Sequence, residues 1–151
     1  MKEENRDSLF EQLKIDEGIV HEIYLDHLGY PTFGVGHLIV EGDPEEGQEV
    51  GTEVTPERVR EAFEKDLETC ISECVVLFGE ETWEGFPGEV QEVLANMMFN
   101  MGRPRLSKFK NFGAALRDHD WARSAVEGRD SLWYRQVTNR AERLMSRLES
   151  L

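Results

Sequence analysis

The sequence has no apolar run long enough to cross a lipid bilayer. Its longest runs, such as the five residues from Cys74 to Phe78, fall far short of the roughly 20 that a spanning helix requires. Residues 1–7 are highly charged and no apolar segment follows them. We therefore expect neither a membrane span nor a cleaved secretion signal.

Cysteine is also scarce, with Cys70 and Cys74 the only two, four residues apart in a helical pattern. Side chains at this spacing share a helix face, but the geometry is poor for a sulfur–sulfur bond. No neighbouring Cys or His supplies the additional ligands that zinc needs. We expect free, half-buried thiols and no zinc site.

Basic residues are few in the first two thirds of the chain. Residues 1–102 contain 6 basic and 25 acidic groups, whereas residues 103–151 contain 11 basic and 6 acidic groups, giving a net charge of −14. Nucleic-acid binding requires a basic face, so a nucleic acid is excluded as the main partner. The excess acid indicates a solvated surface, although the basic C-terminal third could contact an anion.

The composition is otherwise that of a folded chain. The 151 residues, 39% of them hydrophobic, suffice for one packed domain, and no repeat or low-complexity tract interrupts them. We predict an α+β, mostly helical fold: an N-terminal lobe over about 14–55, a connecting helix over about 55–78, and a helical C-terminal lobe over about 79–151 on which a helix over 8–17 packs.

Local signals mark the individual elements. A capping box beginning at Ser8 predicts the start of the first helix, and Gly18 its end. Turn residues from Gly29 to Pro31 predict short antiparallel strands within residues 19–40, and an acidic loop follows over 41–53. Thr55-Pro56-Glu57 supplies three agreeing start signals for the long helix. Further helices are predicted over 88–101, 109–117, 121–127 and 140–148.

Three catalytic motifs can be set aside. His21-Glu22 begins a zinc-protease pattern, but the second histidine is absent. Gly34 and Gly36 begin a dinucleotide-binding pattern that Ile39 breaks. No GxSxG nucleophile elbow occurs, although a Ser-His-Asp triad remains open.

A pair of carboxyl groups is the remaining candidate. Glu17 ends the first predicted helix, where the negative end of the helix dipole and partial burial disfavour its charged form. Asp26 follows on the first predicted strand, and the turn at Gly29 brings Thr32 back towards it. One protonated and one ionised carboxyl group can break a glycosidic bond, although most Asp/Glu pairs are surface pairs.

The sequence resembles the phage lysozymes, muramidase endolysins of tailed bacteriophages. The resemblance covers nearly the whole chain in order, in the stretches Asp16-Glu17-Gly18, Ile23 to Leu38, Val54 to Glu57, Asn96 to Gly102 and Trp133 to Ala141. It implies a two-lobed fold with a sugar-binding cleft.

The resemblance also implies residue roles. Glu17 would be the general acid, Asp26 the second carboxylate and Thr32 the hydroxyl that helps to hold the attacking water. Leu38, Phe99 and Asn100 would contact substrate, and His37 with Asp66 would form a structural ion pair. We expect core packing for the aromatic and sulfur-containing side chains of the C-terminal lobe, which are Met97, Met98, Met101, Trp133 and Tyr134.

The function implied is hydrolysis of the β-1,4 bond between N-acetylmuramic acid and N-acetylglucosamine in bacterial peptidoglycan, with inversion. The two carboxyl groups would then lie about 6.5–9.5 Å apart. This reaction is expected to need neither a metal nor an organic cofactor. We expect a monomer that accumulates in the host cell cytoplasm before release and then acts on the cell wall. The alternatives are a lysozyme-like module that only binds glycan or protein, and a lytic transglycosylase, which would not need Asp26.

Overall fold

The computed structural model describes residues 1–151 in full. Helices make up 64% of the chain, and one three-stranded antiparallel sheet accompanies them, so the predicted mostly helical α+β fold is confirmed. In chain order, the elements are α1 (Glu3–Glu17), β1 (Val20–Leu25), β2 (Pro31–Gly34), β3 (His37–Leu38), α2 (Pro56–Phe78), α3 (Glu80–Gly85), α4 (Gly88–Leu106), α5 (Lys110–Arg117), α6 (Trp121–Arg129), α7 (Leu132–Gln136) and α8 (Thr138–Glu149).

The chain divides into two compact units. Residues 8–69, here the N-terminal unit, contain the sheet, most of α1 and the first part of α2. Residues 1–7 and 70–151, here the helical unit, contain α3 to α8. The sequence-based proposal of a single domain with lobe boundaries near residues 55 and 79 stays a prediction.

The sheet of the N-terminal unit has the order β1-β2-β3, with both pairs antiparallel as the turn signals predict. Gly34, at the end of β2, has a φ of +66°, and a Cβ there would lie 3.1 Å from Val59 Cγ1. Glycine therefore lets β2 approach α2 closely. After β3 the chain returns to β1, where the Ile23 amide donates to the Thr52 carbonyl at 2.9 Å.

Helix α2 begins where the sequence predicts. The Arg58 amide donates to Thr55 Oγ1 at 3.1 Å, as expected for a threonine N-cap before Pro56. Phe63 on α2 then packs against Phe10 on α1, with ring centroids 4.7 Å apart. Both helices therefore contribute to the core of the N-terminal unit.

The predicted start of the first helix at Ser8 is wrong. Helix α1 begins at Glu3, and Ser8 Oγ accepts a hydrogen bond from the Gln12 side chain one turn further along. Glu3 and Glu4 occupy the first turn, where acidic residues favour a helix start, and no breaker separates them from Ser8. The predicted end is confirmed, because Gly18 follows Glu17 with a φ of +80°.

The helical unit contains all four helices predicted for it. Helix α4 continues beyond its predicted end through a kink at Gly102, and α3 and α7 are short additional helices. The two cysteines are free but fully buried rather than half-buried, since Cys70 and Cys74 are 6% and 0% exposed. Met97, Met98, Met101 and Trp133 are buried as predicted, whereas Tyr134 is half-buried.

Candidate active site

A tight turn between β1 and β2 fixes Asp26. Its Oδ1 atom accepts hydrogen bonds from the amides of Leu28 and Tyr30, both at 2.9 Å, and the Asp26 amide donates to the Tyr30 carbonyl. The two backbone donors occupy one carboxylate oxygen. Oδ2 is therefore the oxygen that can interact with water or a substrate.

Thr32 lies on β2 directly across from Tyr24 on β1 and from Leu38 on β3. Side chains of directly paired residues project from the same face of a sheet, so these three side chains share one face. Thr32 is only 4% exposed, and its hydroxyl donates to the Tyr30 carbonyl at 2.9 Å. Its oxygen lone pairs are therefore the part that can accept from another group.

Glu17 is exposed, so the expectation of partial burial is wrong. It is the last residue of α1, and Gly18, with a φ of +80°, ends the helix directly after it. Burial, the charge of Asp26 and the charge of Glu17 together raise the pKa of the Tyr24 phenol. Glu17 and Asp26 therefore both act electrostatically on the same phenol.

His37 lies between two carboxylates. Its Nδ1 atom is 2.7 Å from Asp66 Oδ2 on α2, and its Nε2 atom is 2.8 Å from Asp43 Oδ2 in the segment after β3. Only a protonated imidazole donates from both nitrogens. Burial lowers the pKa of His37, but the hydrogen bonds to Asp66 and Asp43 outweigh it, and the net shift is upward.

Buried carboxylates with charged partners hold the segment over residues 41–53 in place. Asp43 and Glu45 are 8% and 7% exposed, and Arg58 donates to both Glu45 oxygens at 2.9 Å. The hydrogen bonds from Arg58 hold the pKa of Glu45 below its usual range. Burial opposes a similar downward shift of the Asp43 pKa, which the Val40 amide and His37 cause. The sequence analysis did not assign partners to Asp43 or Glu45, because those partners lie at variable distances along the chain.

The predicted substrate contacts are divided between the two units. Leu38 is 46% exposed on β3 of the N-terminal unit. Phe99 and Asn100 are half-buried on α4 of the helical unit, where Asn100 Oδ1 accepts from the Trp133 indole at 2.6 Å. That bond leaves the Asn100 amide group as its remaining donor.

No group of three or more His, Cys, Asp or Glu side chains is arranged to hold a metal ion. No helix has both the length and the apolar character needed to span a membrane.

Comparison with known proteins decides the family. The phage lysozyme family matches residues 14–148, which include Glu17, Asp26 and Thr32. The chain belongs to the phage lysozyme family. Membership makes it a glycoside hydrolase of the lysozyme type.

The proteins to which this chain is similar differ in how much of their own length the chain covers. The chain is 31% identical to the probable T4-type lysozyme 2 of Dictyostelium discoideum, over 95% of this chain and 94% of the relative. It is 30% identical to the pre-baseplate central spike protein Gp5 of Enterobacteria phage T4, over 91% of this chain but 27% of that protein. It is 32% identical to the peptidoglycan hydrolase gp36 of Pseudomonas phage phiKMV, over 84% of this chain and 13% of that protein.

Proposed function

We propose that this protein hydrolyses the β-1,4 glycosidic bond between N-acetylmuramic acid and N-acetylglucosamine in peptidoglycan. One relative is named a peptidoglycan hydrolase and another a probable lysozyme, which supports the substrate class. The observation that carries the proposal is the hairpin that fixes Asp26 Oδ1 by two amides and leaves Oδ2 for chemistry.

In this mechanism Glu17 is the general acid. It donates a proton to the glycosidic oxygen as the bond to the anomeric carbon breaks, so that the leaving sugar departs as a neutral alcohol. Its exposed position at the end of α1 allows a polymeric substrate to reach it.

Asp26 and Thr32 hold the attacking water. The Thr32 hydroxyl hydrogen is donated to the Tyr30 carbonyl, so its oxygen accepts one hydrogen of the water. Asp26 Oδ2 accepts the other hydrogen and takes the proton as the water attacks. A water that donates both hydrogens keeps a lone pair directed at the anomeric carbon, and direct attack inverts its configuration.

Leu38, Phe99 and Asn100 are the proposed sugar contacts. Leu38 offers an exposed apolar side chain, and the remaining donor of Asn100 suits an acetamido or hydroxyl oxygen. We further propose that the protein acts as a monomer on the cell wall after a cytoplasmic stage in the host.

Two alternative functions make different products. A lytic transglycosylase forms an anhydro end on muramic acid, and a module that only binds makes no product. Mass spectrometry of digested peptidoglycan separates the three: we expect a reducing-end muramic acid, and an anhydro end or an undigested polymer would overturn the proposal.

Inversion needs its own measurement. Nuclear magnetic resonance of the first product from a soluble glycan oligomer, recorded before mutarotation equilibrates the anomers, should detect the α-anomer. An initial β-anomer would contradict direct attack by water and would point to a retaining mechanism.

A further inference from the structure

Tyr24 is a polar side chain at the candidate site to which the sequence analysis gave no role. It lies on β1 opposite Thr32, one residue after the buried Ile23 and two residues before Asp26. Its side chain shares a sheet face with Thr32, and directly opposed Cβ atoms lie about 5 Å apart. Tyr24 is half-buried, so part of its ring remains accessible on that face.

The phenol is held in its neutral form. Burial, Asp26 just beyond β1 and Glu17 at the end of α1 all raise its pKa, and its partner on β2, Thr32, carries no charge. The Tyr24 hydroxyl is therefore a hydrogen-bond donor throughout the range in which carboxyl groups act as acid and base.

The proposed water site lacks one donor. Its two hydrogens go to Thr32 and Asp26, and one lone pair attacks the anomeric carbon. The second lone pair is unassigned, and without a donor the water can rotate between two orientations. Thr32 cannot supply that donor, because its own hydrogen goes to the Tyr30 carbonyl.

We propose that Tyr24 is a positioning residue whose hydroxyl donates to the second lone pair of the water that Asp26 and Thr32 hold. This inference rests on the proposed function. The hydroxyl fixes which lone pair faces the sugar, so it acts on the rate of bond cleavage rather than on substrate affinity.

The test is a double-mutant cycle measured on kcat with a soluble glycan oligomer. Tyr24→Phe removes only the hydroxyl, and we expect kcat to fall about tenfold with KM nearly unchanged. Combined with Thr32→Ala, the loss should be smaller than the product of the two single losses, because both side chains hold the same water. A Tyr24 hydroxyl that acts independently of this water would give multiplicative losses.

Tyr134→Phe is the matched control. It also removes a phenol hydroxyl near a carboxylate, the one bonded to Glu142 at 2.8 Å in the helical unit, and should leave kcat unchanged. All variants are measured well below their melting temperatures, which are determined in parallel.

Parental kcat in Tyr24→Phe would overturn the proposal, as would multiplicative losses in the cycle. An inactive parent protein would refute the proposed function instead, so the two failures are distinguishable.

Discussion

The two units of the molecule carry very different charge. The N-terminal unit has 16 acidic and 4 basic residues, a net charge of −12, whereas the helical unit has 15 acidic and 13 basic residues, a net charge of −2. Dividing the chain at residue 103 suggests a basic C-terminal third, but the compact helical unit is nearly neutral. The excess acid therefore lies on the unit that contains Glu17 and Asp26.

The units also use their cations differently. In the N-terminal unit, His37 and Arg58 hold buried carboxylates of one segment, residues 41–53. In the helical unit, arginines join helices, because Arg129 pairs with two glutamates of α8 and Arg147 of α8 pairs with two of α4.

Hydrogen bonds from Arg129, Tyr134 and Ser146 hold the pKa of Glu142 at about 2. One of the two cations that hold buried carboxylates in the N-terminal unit is thus a histidine with a raised pKa, whereas both cations that join helices in the helical unit are arginines.

Among substitutions that distinguish the two units, Asp26→Asn should have the largest effect, and that effect is on activity. The amide keeps an oxygen for the two backbone donors but cannot take a proton, so we expect activity to fall about 10²–10⁴-fold with stability largely retained. Lysis of permeabilised cells measures the rate, and calorimetry measures the stability. Glu49→Gln removes a charge from the same unit and should remain active. An active Asp26→Asn protein would remove Asp26 from the mechanism.

Next in size is the effect of His37→Asn on stability. The substitution leaves the buried Asp43 with the Val40 amide and a 3.4 Å contact to Arg58 but without its histidine, which should cost about 3 kcal/mol of unfolding free energy. The upward-shifted pKa of His37 means that its contribution is complete below about pH 6.5 and is lost as pH rises through the folded value. The contribution of Asp43, whose pKa is lowered, is lost as pH falls through its folded value.

Denaturant unfolding at several pH values measures that contribution. The difference between the parent and His37→Asn should be largest in mildly acidic solution and should shrink towards alkaline pH. Double-mutant cycles should give a larger coupling to Asp43 than to Asp66, because the Asp66 side chain is 32% exposed and that of Asp43 only 3%. Equal coupling, or none, would show that the burial of Asp43 does not matter.

The sequence predicts elements whose signals are local, and it misses contacts between distant residues. Helix α2 follows from Thr55-Pro56-Glu57, and the hairpin follows from the turn at Gly29. Helix α7 has only five residues, although Ser131 caps it by accepting from the Tyr134 amide, a signal that could have revealed it. At Ser8 a capping signal occurs inside a helix, because the preceding acidic residues also favour helix.

In the candidate site, too, the sequence predicts features with local signals and misses contacts between distant residues. The carboxylates and Thr32 are recognisable because they lie within one short stretch that matches a known family. Tyr24 and Asp43 are not, because an interaction across strands or with a neighbouring helix leaves no fixed spacing. The exposure of Glu17 depends on how the chain leaves α1 after Gly18, and the sequence does not determine that direction.

The smallest predicted effect is the response of activity to salt. Since the unit that contains the proposed catalytic residues is strongly acidic, screening should weaken repulsion from an anionic wall. Lysis of permeabilised cells should rise about twofold from low salt to several hundred millimolar, or stay flat.

A steep fall in the rate of lysis would mean that nearby cations dominate the electrostatic field at the wall. Of the four cations between residues 103 and 110, only Arg103 pairs with a carboxylate, that of Glu73, whereas Arg105 bonds to the neutral Gln136. Replacing Arg105, Lys108 and Lys110 by Gln should then abolish the fall.

The most direct test of the catalytic assignment is the rate of glycan hydrolysis by Glu17→Gln beside Glu11→Gln. Both substitutions remove one charge from an exposed position on α1, but only Glu17 is proposed to donate a proton. We predict a loss of about 10²–10⁴-fold for Glu17→Gln and a parental rate for Glu11→Gln, with both proteins folded. A folded Glu17→Gln protein that hydrolyses glycan near the parental rate would contradict the assignment of Glu17 as the acid.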